Sequence, residues 1–166
     1  MGAHQPDVVV VGAGIAGASI AAVLARGGIE VLLLERQREY RDRVRGEYMA
    51  PWGVVEARAL GLERVIRSTQ AVDGRYRVAF DELIDPSVAE GSKRDNSTFL
   101  PDVAGPLCAS HPRSCEALSE EAVGMGAELV RGVAEVRVET GSRPAISFRN
   151  GTETNMRPRL IIGADG

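Results

Sequence analysis

The stretch from Asp7 to Arg36 constrains the fold more than any other part of the chain. It reads DVVVVGAGIAGASIAAVLARGGIEVLLLER: a β-branched run, a glycine-rich turn, a run of small residues, a Gly27-Gly28 stop and a second apolar run. This order over about 30 residues predicts a strand, a helix and a second, parallel strand. Parallel sheets are covered by helices on both faces, so we expect an α/β, Rossmann-like doubly wound fold.

The glycine turn predicts a site for phosphate groups. Gly12 permits a tight turn out of the strand, Gly14 lets the backbone approach a pyrophosphate, and Gly17 lets the helix lie close to the sheet. The amides and the dipole of the helix N-terminus point at the same place. The predicted dinucleotide cradle consists of Gly12, Ala13, Gly14, Ile15, Ala16 and Gly17. The alternative is a glycine turn inside an ordinary α/β sheet.

Glu35 ends the second predicted strand, where a carboxylate accepts both hydroxyls of an adenosine ribose. An unmodified ribose is expected, because a 2′-phosphate would lie against that negative charge. We count the adjacent Arg36 among the cofactor-binding residues as well. This unit alone does not separate NAD from FAD.

The following segment carries Arg43 and Arg45, followed by Gly46. Arginines just beyond the ribose-binding acid reach a pyrophosphate with forked donors. The alternative is a charged loop that faces water. A helix is predicted from about Gly53 to Leu60, ended by Gly61.

Composition narrows the function classes. The net charge of -3 and an aromatic content of 4% give no reason to expect a nucleic-acid partner. No apolar run is long enough for a membrane span. With two cysteines and two histidines, neither a disulfide framework nor a metal site is expected, and a reducing cytoplasm is the predicted location. No protein-supplied catalytic base is identified, which suits an enzyme whose cofactor carries the chemistry.

The rest of the chain predicts a long loop, a helix and a sheet. RYRVAFDELI, at residues 75–84, is read as a strand, and residues 85–106 are rich in polar residues, glycine and proline, as in a long surface loop. A helix from about Ser114 to Val123 is expected to turn Ser119 to water and Val123 inward. Strand-like segments follow, with a hairpin at Asn150-Gly151, so we expect a three-stranded antiparallel excursion from the parallel sheet.

In their order, these motifs resemble the class A flavin monooxygenases, the family of p-hydroxybenzoate hydroxylase. In that family an Arg-x-Arg loop touches the cofactor, which corresponds here to Arg43-Val44-Arg45. The segment HPRSCEALSEEAVGMGAELVRGVAEV is similar to the family's arginine-led helix and following strand. The resemblance implies that Arg113 reaches the FAD phosphates or ribityl chain, and that the backbone at Ala134 meets adenine. LIIGADG resembles the second signature, which implies that Asp165-Gly166 lies near the pyrophosphates.

The resemblance implies a cycle in which NAD(P)H reduces FAD and oxygen is used to hydroxylate a small organic, often aromatic, substrate. RGEYM also resembles flavin-dependent reductases of the geranylgeranyl reductase type, which keeps reduction open. A non-catalytic nucleotide-binding module is the third hypothesis.

Residues 1–166 are therefore expected to form one FAD/NAD(P)-binding domain, the N-terminal portion of a longer flavoprotein. The substrate domain and a further Gly-Asp FAD motif of the family are not found in the sequence. The partners expected are a small-molecule substrate and either a second copy of the chain or a complementing C-terminal portion.

Overall fold

The computed structural model describes residues 5–42, 48–79 and 82–166. Along the chain the elements are β1 (Val8–Val11), α1 (Ile15–Arg26), β2 (Val31–Glu35), β3 (Tyr48–Met49), α2 (Pro51–Ala59), α3 (Glu63–Arg67), β4 (Val72–Asp73), β5 (Tyr76–Arg77), α4 (Pro86–Gly91), β6 (Arg94–Asp95), a 3₁₀ turn (Asn96–Thr98), β7 (Leu107–Cys108), α5 (His111–Gly124), β8 (Glu128–Arg131), β9 (Ala134–Glu139), β10 (Ala145–Asn150), β11 (Thr152–Met156) and β12 (Leu160–Gly163). They form two compact units, the first within Met1–Arg43 and Pro112–Gly166 and the second within Val44–His111.

The first unit is built on a parallel sheet with the strand order β12-β1-β2-β8. Val9 lies opposite Leu32 on one side and Ile161 on the other. β2 is buried along its whole length and the first three residues of β1 are buried too, as expected of central parallel strands. The predicted α/β fold class and the strand-helix-strand unit are confirmed, and the LIIGADG segment joins the sheet beside the first strand.

Helix α1 lies against β1 and β2 through small side chains. Ala18, Ala21 and Ala22 have no exposed surface, so the backbone of the helix approaches the sheet closely. Close approach matters for function, because it holds the N-terminus of α1 over the carboxyl end of β1.

A three-stranded antiparallel sheet, in the order β11-β10-β9, confirms the predicted excursion. The β10–β11 turn is centred on Gly151, whose φ of +78° lies in the left-handed region that favours glycine. Ile146 and Phe148 of β10 are buried in one apolar cluster with Val9 and Leu32 of the parallel sheet. The excursion therefore shares the core of the first unit.

Helix α5 differs from its prediction at its start and in its orientation. It begins at His111 rather than Ser114, and Ser119 has no exposed surface whereas Val123 is 47% exposed. The prediction that Ser119 faces water and Val123 faces inward is wrong. The buried Ser119 hydroxyl is satisfied by a part-buried hydrogen bond with Tyr40, a contact that the periodicity of apolar residues does not reveal.

The second unit contains more regular structure than the predicted loop over residues 85–106, and β5 lies within the segment 75–84 that is read as a strand. Its strands pair as β3-β7-β4 and β5-β6, all antiparallel and two residues long. Asp85 is the N-cap residue of α4, and its side chain accepts a hydrogen bond from the Ser87 amide. Helix α2 begins at Pro51, two residues before the predicted Gly53, because proline suits the first helical position. Among the described helices of the chain, none is long and apolar enough to cross a bilayer.

Candidate functional site

The three glycines of the turn after β1 meet different surroundings. A Cβ at Gly12 would lie 2.5 Å from the Ala164 carbonyl oxygen, and φ there is +99°. A Cβ at Gly17 would lie 1.8 Å from the Gly12 carbonyl oxygen. At Gly14, in contrast, φ is -69° and a Cβ would meet nothing within 4 Å. The fold itself therefore requires Gly12 and Gly17, whereas at Gly14 the absence of a side chain leaves an open space beside the helix.

That open space lies at the N-terminus of α1. Gly14 is the N-cap residue and supplies no side chain to cap the helix. The first amides of a helix have no acceptor within the helix, and the dipole places partial positive charge there. α1 has 12 residues, and no acidic side chain occupies its first turn. An anion of the size of a phosphate suits this place electrostatically.

Glu35 at the end of β2 is only 7% exposed and makes two backbone contacts. Its Oε2 accepts a hydrogen bond from the Ala13 amide at 2.9 Å, and its Oε1 accepts one from the Gln37 amide at 2.7 Å. Each carboxylate oxygen has a second lone pair, so acceptor capacity for ribose hydroxyls remains. The carboxylate thus anchors the glycine turn, a role that the sequence pattern did not indicate.

Tyr40 contacts the same turn from the other side. Its hydroxyl donates to the Ala13 carbonyl oxygen at 2.6 Å and lies 2.9 Å from the Ser119 hydroxyl. The Arg131 guanidinium carbon lies 4.6 Å from the centre of its ring. Burial raises the pKa of Tyr40 to about 12, so the phenol is protonated at neutral pH.

Helix α5 also reaches the start of α1. The Ile15 amide donates to the Cys115 sulfur, and Cys115 is fully buried. Burial raises the pKa of this thiol to about 11, so it remains a neutral thiol at neutral pH. An uncharged sulfur beside the N-terminus of α1 places no negative charge where a phosphate would bind.

The other predicted site residues lie at varying distances from the turn. The backbone of Asp165 passes over Gly12, where an added Cβ would be 2.8 Å from the Asp165 Cα. Ala134 follows Val133, whose amide donates to the Glu35 carbonyl oxygen at 3.1 Å. Arg36 and Arg113 are exposed, Arg36 directly after β2 and Arg113 in the first turn of α5.

Three further predicted residues, Arg43, Arg45 and Gly46, lie outside the described residues.

Comparison with known proteins identifies this arrangement. A family model described as an FAD binding domain matches residues 5–166. The chain belongs to the FAD binding domain family. This confirms the resemblance to the FAD-binding portion of the class A flavin monooxygenases, and it makes FAD the cofactor of the domain.

Curated relatives of this FAD binding domain include squalene epoxidases. One from Candida albicans is 40% identical over 86 residues, covering 51% of this chain and 17% of its own length. Squalene epoxidase 2, mitochondrial, from Arabidopsis thaliana is 29% identical over 157 residues, covering 95% of this chain and 25% of its own. The chain therefore spans about a quarter or less of the length of these relatives.

Solved structures share the fold. The OxyS anhydrotetracycline hydroxylase from Streptomyces rimosus is 25% identical with a TM-score of 0.79, covering 98% of this chain and 32% of its own. An aklavinone-11 hydroxylase, solved with FAD and aklavinone, is 24% identical with a TM-score of 0.78, covering 100% of this chain and 34% of its own.

The described residues of the FAD binding domain fit a dinucleotide. The space at Gly14 faces an uncapped helix N-terminus, and a carboxylate lies at the end of the neighbouring strand. Sequence reasoning missed Tyr40 and Ser119, which also contact this region. The sequence gives only a weak indication that Tyr40 belongs to the site, because it is one aromatic residue in a charged segment.

Proposed function

We propose that this chain is the FAD-binding part of a flavin-dependent monooxygenase that uses NAD(P)H and inserts one oxygen atom into a small organic substrate. The named relatives support the proposal, because they are epoxidases and hydroxylases. Aromatic hydroxylation was expected from the sequence, and the epoxidases among the relatives extend the substrate class to alkenes.

The observation that carries the proposal is the open space at Gly14. Its φ of -69° is accessible to any residue, and no protein atom lies within 4 Å of an added Cβ. No contact in the described fold therefore requires glycine at position 14. A ligand bound directly against the backbone would require it, because a side chain would occupy the ligand's space.

The proposed roles follow the positions of the residues. The turn from Gly12 to Gly17 binds the pyrophosphate through backbone amides, and Glu35 accepts hydrogen bonds from the ribose hydroxyls. The remaining proposed cofactor-binding residues are Arg36, Arg43, Arg45, Gly46, Arg113, Ala134 and Asp165. When bound, FAD supplies the redox chemistry, accepting electrons from the nicotinamide nucleotide and activating oxygen. The protein binds, orients and shields the cofactor.

We also propose that residues 1–166 act as one domain of a longer flavoprotein, or together with a complementing chain. The support is that the chain spans 32% of the OxyS hydroxylase. We further propose a reducing compartment such as the cytoplasm, the location expected from the cysteine content of the sequence.

The decisive test of FAD binding is the substitution Gly14→Val. The branched side chain would occupy the space proposed for the pyrophosphate, so we expect an FAD dissociation constant raised by about 100-fold or more. Circular dichroism should remain near that of the wild type. Gly124→Val is the matched control, because a Cβ there also meets nothing within 4 Å but lies at the far end of α5.

FAD fluorescence titration of the wild type and both variants measures this difference. A Gly14→Val variant that binds FAD as tightly as Gly124→Val would refute the proposed cradle. Stoichiometric oxygen consumption with product in the full-length flavoprotein distinguishes a monooxygenase from a reductase. If the full-length flavoprotein binds no FAD, the hypothesis that remains is a non-catalytic nucleotide-binding module.

A further inference from the structure

Tyr40 donates a hydrogen bond to the glycine turn, and the family motifs do not account for this contact. A phenol has one hydrogen, and a carbonyl oxygen only accepts hydrogen bonds. The Tyr40 hydrogen therefore goes to the Ala13 carbonyl at 2.6 Å, and Ser119 donates its own hydrogen to the Tyr40 oxygen at 2.9 Å. A directed chain of two hydrogen bonds thus runs from α5 to the turn.

The Tyr40 ring is held in place as well as its hydroxyl. The Arg131 guanidinium carbon lies 4.6 Å from the ring centre, and Arg131 forms an ion pair with Glu116 at 2.9 Å. Arg131 ends β8 and Glu116 belongs to α5, so the ring is fixed by two elements of the first unit. The phenol remains protonated at neutral pH, so it donates throughout the working range.

These contacts orient the two peptide groups that flank the Ala13 Cα, Glu35 the Gly12–Ala13 peptide and Tyr40 the Ala13–Gly14 peptide. The Ala13 amide is held by Glu35 and the Ala13 carbonyl by Tyr40, so this residue is tied on both sides. In a planar trans peptide the carbonyl and the following N–H point in opposite directions. With its carbonyl fixed toward Tyr40, the Ala13–Gly14 peptide directs the Gly14 N–H away from Tyr40.

We propose that Tyr40 is a positioning residue for the pyrophosphate: by holding the Ala13 carbonyl, with Ser119 behind it, it orients the Gly14 amide toward a bound phosphate. This inference rests on the proposed function, since it assigns a direction to one amide of the proposed cradle. It adds a residue outside the glycine motif to the determinants of dinucleotide affinity.

The test compares ADP with adenosine as ligands of the Tyr40→Phe variant. Phenylalanine keeps the ring and the contact with Arg131 but removes the hydrogen bond to Ala13. We expect the ADP dissociation constant to rise about tenfold, as for one lost hydrogen bond to a charged site, and that of adenosine to change less than about twofold. Tyr76→Phe, in the second unit, is the matched control and should change neither.

Ser119→Ala provides a second variant that keeps the Tyr40 hydroxyl. It should raise the ADP dissociation constant by about threefold, and it should add no further loss when combined with Tyr40→Phe. In the ligand-free protein, the Gly14 amide resonance in ¹H–¹⁵N spectra should shift in Tyr40→Phe and stay unchanged in Tyr76→Phe.

The outcomes separate the two proposals. Equal loss of ADP and adenosine affinity in Tyr40→Phe would indicate a merely structural role and overturn the inference. Unchanged ADP affinity in both Tyr40→Phe and Ser119→Ala would overturn it as well. A wild-type protein that binds neither ADP nor FAD would instead refute the proposed function, and the positioning role would fall with it.

Discussion

At the scale of single residues, Gly12, Gly14 and Gly17 show how far the spacing of a sequence motif predicts the surroundings of each residue in the fold. Spacing alone predicted all three glycines, and their surroundings match the reasons given for each: a tight turn, open space and close packing. The contacts of Glu35 with the Ala13 and Gln37 amides were not predictable, because they depend on where the turn lies after folding. A strand-end acid in a sequence does not reveal which backbone groups will face it.

Replacement of Glu35 should therefore have two effects. Glu35→Ala removes the acceptor of the buried Ala13 amide, so we expect the free energy of unfolding to fall by about 1–3 kcal/mol. Adenosine binding should weaken by a similar amount, about 1–3 kcal/mol, because the acceptor for the ribose hydroxyls is lost. Urea unfolding and calorimetric titration with adenosine measure the two effects.

The control for that substitution is Glu139→Ala, an exposed acid at the end of β9. It should alter neither stability nor adenosine affinity noticeably. Unchanged adenosine affinity in Glu35→Ala would contradict the proposed ribose contact and leave only the anchoring role.

At the scale of elements, the long periodic segments were predicted well and the short ones were not. β1, α1 and β2 each have a pattern of their own, and Gly151 marks the β10–β11 turn. The two-residue strand β6 has no pattern that a reader of the sequence can detect, since it is defined only by its partner, whereas β5 lies within the strand-like segment RYRVAFDELI. The orientation of α5 was mispredicted for a related reason: the buried Ser119 hydroxyl forms its hydrogen bond with a distant residue.

An acid-sensitive cluster joins α2 and α3 in the second unit. Glu63 Oε2 lies 2.7 Å from Arg58 Nε, and Glu63 Oε1 lies 2.9 Å from Arg67 Nε. The hydrogen bond from Arg58, with a further one from Arg67, holds the pKa of Glu63 below its ordinary value of 4.5. Since the folded-state pKa is the lower one, the stabilisation is fully present above the ordinary value and is lost as the pH falls through the folded-state pKa.

Glu63→Gln tests this cluster. We expect the melting temperature to fall by about 2 °C at pH 7, and the difference from the wild type to shrink as the pH falls below 4.5 and through the folded-state pKa. Thermal unfolding followed by circular dichroism over a falling pH series measures it. Glu90→Gln, an exposed acid of α4 paired with Lys93, is the control. A difference that does not shrink as the pH is lowered would contradict the ionic origin.

At the scale of the whole chain, the nucleotide contacts proposed for ADP that lie within the described residues fall in the first unit. We expect ADP at saturating concentration to slow hydrogen–deuterium exchange of peptides covering Gly12–Gly17 and the end of β2. Peptides covering α3 to β6, in the second unit, should exchange as in the free protein. Mass spectrometry of the exchanged peptides measures this, with adenosine as the comparison ligand.

Adenosine should protect the end of β2 but leave the glycine turn less protected than ADP does, because adenosine carries no phosphate. Protection by ADP spread evenly over both units would argue against a local pyrophosphate site. The division into two units was itself not predicted, since it depends on long-range contacts rather than on a change in composition.

The double attachment of Ala13 has a consequence for protein engineering. A designer who wishes the domain to accept a nucleotide with a 2′-phosphate would first exchange the strand-end acid for a neutral or basic residue. Here Glu35 also holds the Ala13 amide, so the exchange would remove that hydrogen bond and leave the Ala13 carbonyl held by Tyr40. With Glu35 in the proposed ribose contact, cofactor preference is coupled to the integrity of the binding loop, and a successful redesign needs a replacement acceptor for that amide.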